Sequence, residues 1–150
     1  MMEFGIEEAR KTMNQNIGGP FGAVITDKDN KIIAVSSNTV LKDHDPTAHA
    51  EINAIRKAGS ILKTHDLTGC KIYATGYPCP MCISAIIWSN ISEVYYGTTL
   101  KDAEEIGFRD DFIYEYIKGN NKNLIKMTNI EHDKCLKLFE EYKEKNKQIY

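Results

Sequence analysis

Several things are missing from this 150-residue sequence, and each absence excludes a class of protein. No apolar run approaches the ~20 residues needed to cross a bilayer; the longest, around residues 83–88, is far too short. No charge of one sign dominates: 19 Lys and Arg stand against 21 Asp and Glu, for a net charge of −2. That balance argues against a protein that holds nucleic acid mainly by neutralising phosphates. There is no repeat, low-complexity tract or Gly/Ser/Pro-rich linker, so one domain over 1–150 is expected. The first eight residues are acidic where a secretory signal would be basic, and cytoplasmic residence is the expectation. Cysteine is scarce, with only Cys70, Cys79, Cys82 and Cys135, and a reduced compartment gives them no call to form disulfides.

What is present reads as alternating helix and strand. Residues 3–16 can form an amphipathic helix with Phe4, Ala9 and Met13 on one face, ended by Gly18-Gly19-Pro20. Residues 22–26 and 32–36 read as strands joined by the turn residues Asp27-Lys28-Asp29-Asn30, a hairpin by turn chemistry. A polar loop leads to a helix over 48–58, with Gly59 as its stop. Further strands are expected at 71–75, 93–97 and 124–127, and further helices at 81–89, 101–106, 110–118 and 131–147. The last of these places Leu136, Phe139 and Tyr142 inward. This order predicts an α/β three-layer sandwich: a mixed five-stranded sheet with helices on both faces, its later strands parallel.

Two short segments carry the chemistry, and both open helices. One is Thr47-Ala48-His49-Ala50-Glu51; the other is Pro78-Cys79-Pro80-Met81-Cys82. One imidazole and two thiolates form a donor set that suits Zn²⁺, and three protein ligands leave the fourth tetrahedral position for water, as in catalytic sites. No second C-x-x-C completes a structural site. Thiols at a helix start are favoured as thiolates by the helix dipole. Glu51, two residues beyond His49, is close enough to serve a zinc-bound water, whose pKa falls to about 7. His-x-Glu followed by Pro-Cys-x-x-Cys is the signature of zinc deaminases acting on nucleobases. A redox pair, or a zinc-holding interaction module without catalysis, is the competing use of such cysteines. Cys70 and Cys135 read as small buried or half-buried thiols without chemistry. Trp88, on the zinc helix, is assigned either to the border of the site or to packing.

Over nearly its whole length the chain resembles the cytidine deaminase-like superfamily, and within it the bacterial guanine deaminases. The resemblance rests on residues 18–24, 45–51 and 54–58, on Pro78-Cys79-Pro80-Met81-Cys82, on Gly107-Phe108 with Asp110, on Phe112-Ile113-Tyr114 and on a terminal Tyr150. It implies hydrolytic conversion of guanine to xanthine and ammonia, zinc-bound hydroxide attacking the amine-bearing carbon and Glu51 shuttling protons. It implies zinc on His49, Cys79 and Cys82, and a purine base met by Asn38, Phe21, Asp110 and Tyr150. It also implies a homodimer that exchanges a C-terminal segment of about 131–150, and neither nucleic acid nor membrane as a partner. Tyr77 stands where this group usually has Glu, and Arg109 where guanine deaminases often have an acid. These departures keep open other free bases or nucleosides, namely cytosine, guanosine or a triazine amine. Editing of adenosine in tRNA shares both zinc motifs, and the charge balance weighs against it.

Overall fold

The protein is described by a computed structural model covering residues 1–150. Its backbone divides into two compact units, Met1–Ile113 and Tyr114–Tyr150.

The first unit is built on a four-stranded sheet of order β2-β1-β3-β4: β1 Gly22–Thr26, β2 Ile32–Ser37, β3 Lys71–Gly76 and β4 Glu93–Thr98. β1 pairs antiparallel with β2 and β3, while β3 and β4 run parallel, so the sheet is mixed as expected. Asp27 closes the hairpin, its Oδ1 accepting from the amides of Asp29 and Lys31 at 2.9 Å each. Central β1 is buried at all five positions, because strands flank it on both edges and helices cover it on both faces.

Helix α1 (Met2–Asn14) packs on one face of the sheet. Its buried side is Gly5, Ala9 and Thr12, and not the Phe4/Met13 stripe expected from the sequence; both of those are exposed. The reason is proximity. A Cβ on Gly22 would lie 2.0 Å from the Gly5 carbonyl oxygen, so helix and strand meet backbone to backbone and only small residues fit between. On the opposite face α3 (Ala50–Leu62) lays Ala50, Ala54 and Ala58 against Ala23, Ile25 and Ile72, and Ile86 of α4 (Pro80–Trp88) completes that core. Helix α3 runs past Gly59, the expected stop, and ends at Lys63, which takes the left-handed conformation at φ 55°. A one-turn helix α2 (Val40–Asp43) interrupts the loop expected after β2. Helix α5 (Leu100–Glu105) starts with a capping box between Thr99 and Asp102, and α6 (Asp111–Ile117) follows.

The second unit holds α7 (His132–Glu144) and its flanking segments. Residues 124–127, expected as a fifth strand, form none, so the sheet has four strands. The apolar residues assigned inward on α7 are exposed, Phe139 to 72%. Cys135 is exposed as well, contrary to expectation, whereas Cys70 is buried in the first unit's core.

Candidate active site

One end of the sheet supplies the whole site. Because β1 is antiparallel to both neighbours, its start lies beside the ends of β2 and β3, as the pairs Gly22↔Ser37 and Ala23↔Ala74 show. Phe21 precedes β1, Asn38 follows β2, Tyr77 to Cys79 follow β3, and Leu100 follows β4. Backbone bonds hold these exits together: the Asn38 amide donates to the Phe21 carbonyl at 2.9 Å and the Tyr77 amide to the Thr98 carbonyl at 2.8 Å. Asn53, which the sequence reading passed over, reaches from α3 to donate to the Ser37 carbonyl and the Thr39 hydroxyl, both at 2.9 Å, tying the helix to the loop that precedes it.

His49 and Cys79 are the N-cap residues of α3 and α4. Neither uses its side chain as a cap, although both positions invite it; both side chains stay free for another partner. Cys82 follows one turn into α4 and is wholly buried. The three donor atoms lie within 4.8 Å of one another. Each sulfur is 3.6 Å from His49 Nδ1. A tetrahedron with Zn–N of about 2.05 Å and Zn–S of about 2.3 Å has an N···S edge of about 3.6 Å, so the residues fit zinc in both donor chemistry and spacing. Two thiolates would also offset a dication facing two helix N-termini.

The three donors are electrostatically coupled to one another. Cys79 is drawn down to about 4, chiefly by the hydrogen bond from Cys82 and also by His49. Cys82, donating that bond and buried, is pushed up. His49 is raised, first by its hydrogen bond to Cys79. Glu51, in the first turn of α3 and 8% exposed, is raised by burial. It is not one of the three clustered donors.

These residues open into a cavity of about 510 Å³ lined by Phe21, Asn38, His49, Glu51, Cys79 and Asp110 among others. The sequence-predicted first-unit residues therefore meet in one place, with Cys82 just beneath. Asn38, 6% exposed, accepts on Oδ1 from the amides of Gly19 and Val40, each at 3.2 Å. Its carbonyl is thus occupied, and only its NH₂ is left for the cavity. Phe21 meets Phe108 edge-on, ring centroids 5.0 Å apart. Asp110 is raised by burial and then by the Cys79 charge. Tyr77 and Arg109, the departures noted in the sequence, both line the cavity. So do Val40, Leu41, Leu100 and Ala103, which carry no motif and could not be singled out from sequence. Trp88 belongs elsewhere: it is 77% exposed and borders a groove with Ile52, Ile55 and Leu67. Tyr150 lies in the second unit, whose own cleft it lines with Tyr142 and Ile149.

Residues 1–98 match the family described as "cytidine and deoxycytidylate deaminase zinc-binding region". The chain is similar to the guanine deaminase of Bacillus subtilis (strain 168), 50% identical over 105 residues that cover 70% of this chain and 67% of that one. It is also similar to the tRNA-specific adenosine deaminase of Buchnera aphidicola subsp. Schizaphis graminum, 35% identical over 124 residues, covering 82% and 79%. Among solved structures, an X-ray structure of guanine deaminase from Bacillus subtilis superposes with a TM-score of 0.92 at 39% identity, covering 99% of this chain and 96% of that one. With the His/Cys/Cys cluster and the fold in agreement, the chain belongs to the cytidine and deoxycytidylate deaminase zinc-binding family.

Proposed function

We propose that this protein is a zinc-dependent guanine deaminase, converting guanine and water to xanthine and ammonia. The observation that carries the reading is the buried Glu51 beside a three-donor cluster, in a cavity that offers an aromatic face, an amide donor and a carboxylate. The likeness to guanine deaminase from Bacillus subtilis, in sequence and in structure, supports guanine as substrate.

His49, Cys79 and Cys82 would hold the zinc, which when bound would supply the Lewis acidity that makes water a nucleophile near neutral pH. Glu51 takes the proton that water gives up as its oxygen bonds to the amine-bearing carbon. Glu51 delivers that proton to the adjacent ring nitrogen, where it stays, and then carries the second proton from the new hydroxyl to the amine, so that the C=O forms as the C–N bond breaks and ammonia leaves. Its burial suits a carboxyl that must exchange protons with substrate and not with solvent. Phe21 stacks on the purine, the Asn38 NH₂ donates to a ring acceptor, and Asp110 accepts from an N–H of the base. A free base suits this mouth better than RNA, since Arg109, the one Lys or Arg of the lining, is already paired with Glu104 and Asp111.

The protein acts as a homodimer in the cytoplasm, residues 131–150 being exchanged so that Tyr150 closes a partner's cavity. The support is apolar surface: Phe139, Ile149 and Tyr150 are exposed, and β4 is exposed along its length. The test is ammonia release by zinc-loaded protein from guanine, cytosine, guanosine, a triazine amine and tRNA. Release from guanine in preference to the others is expected, with a dimer mass by light scattering. Inertness on guanine with turnover of another amine would overturn the substrate assignment.

A further inference from the structure

Arg109 lines the cavity one residue before Asp110, and its geometry gives it a task. Nη2 donates to Asp111 Oδ2 at 2.7 Å and Nε to Asp111 Oδ1 at 3.2 Å, a two-pronged pairing that steps over the residue between them. Glu104 Oε1 lies 3.9 Å from the same Nε, steadying the guanidinium from the end of α5. The residue stepped over is Asp110, which lines the cavity and whose carbonyl accepts from the Ile113 amide at 3.0 Å as α6 begins.

Left to itself, an aspartate at the start of a helix turns its carboxylate back onto the free amides of the first turn, or pairs with the nearest cation. Either would draw Asp110 away from the cavity. Asp111 takes the guanidinium, and the amides of Asp111 and Phe112 approach its carboxylate, while the Asp110 carboxylate meets its own amide. A planar two-pronged pair also fixes orientation in a way that a lysine point charge does not.

We infer that Arg109 is a positioning residue for this deaminase: bridged to Asp111, it keeps the Asp110 carboxylate turned to the cavity and to the purine. This rests on the guanine-binding reading given above. Nothing in it requires Arg109 to touch the base, and its neutralisation by two carboxylates leaves it poorly suited to recruiting an anion.

The experiment compares guanine kinetics of the zinc-loaded full chain with Arg109→Ala, Arg109→Lys, Asp111→Asn and the Arg109→Ala/Asp111→Asn double variant. Each of Arg109→Ala and Asp111→Asn should raise KM about tenfold and leave kcat within about twofold, the pattern of a lost binding contact. The double variant should be no worse than either single one, because both break one bridge. Arg109→Lys should restore only part of the loss, and an exchange of charges, Arg109→Asp with Asp111→Arg, should restore more than either exchange alone. Unchanged KM, a loss confined to kcat, or a double loss equal to the product of the single losses would overturn the inference while leaving the guanine reading intact. A wild-type chain inert on guanine would overturn both.

Discussion

Replacing Gly18 by alanine should damage substrate binding without touching the metal. A Cβ at Gly18 would lie 2.1 Å from the Asn38 carbonyl oxygen and 2.4 Å from its Oδ1. Ordinary contact needs more than 1 Å beyond that, and one of the obstructing atoms is backbone, so the segment carrying Asn38 must move. Movement breaks the two bonds that Oδ1 accepts from Gly19 and Val40. At about 1 kcal/mol each, that is a stability loss of about 2 kcal/mol. A displaced NH₂ also forfeits one hydrogen bond to the purine, again about 1 kcal/mol, so KM for guanine should rise five- to tenfold. His49, Cys79 and Cys82 are untouched, and zinc content should stay at one per chain. The assay is initial-rate ammonia release across guanine concentrations, with metal analysis and thermal melting on the same preparations. A KM within twofold of wild type would refute the reasoning, since it would mean that the Asn38 amide has no part in holding the base.

Glu51→Gln should lower kcat by at least about a hundredfold while zinc stoichiometry holds, measured by single-turnover kinetics and metal analysis. Stripping zinc with a chelator should lower the melting temperature, and His49→Ala should remove both the metal and the chelator's effect, read by calorimetry. Phe108→Ala removes the edge contact on Phe21 and should raise KM more than it lowers kcat. Asp102 is held below its ordinary 3.8 by the Thr99 hydroxyl and amide. Its folded value is therefore the lower one, so its contribution is complete above about 4 and fades as pH falls through the lowered value. The melting-temperature gap between wild type and Thr99→Ala should accordingly narrow as pH falls below about 4.

The parts legible in the sequence were those written in residue type at fixed spacing. His49, Glu51, Cys79 and Cys82 announce themselves because zinc chemistry admits few donors, and Pro80 marks the helix that carries two of them. The β1–β2 hairpin followed from its turn residues and the parallel run of β3 and β4 from the helical crossover between them, whereas the antiparallel seat of β3 beside β1 did not. What stayed hidden was set by distance between backbones. The buried side of α1 is small because Gly5 meets Gly22, and no hydrophobic stripe records that. Gly59 looked like a helix stop, yet Lys63 accepts the left-handed turn four residues on. Val40, Leu41 and Ala103 join the cavity through tertiary placement alone. Residues 124–127 have a strand-like composition, and composition does not supply a neighbouring strand to pair with.

The placement of His49 and Cys79 at two helix starts has a topological consequence. The residues are 30 apart in sequence (79 − 49), and the chain between them contains α3, the buried Leu67 and β3. When both grip one ion, that stretch becomes a closed loop, much as a disulfide would make it. The loop-closure relation for 30 residues gives about 3.6 kcal/mol of denatured-state entropy removed. The same two side chains that would arrange the chemistry would therefore also tie the core helix to the sheet, so that loading the metal stiffens the fold.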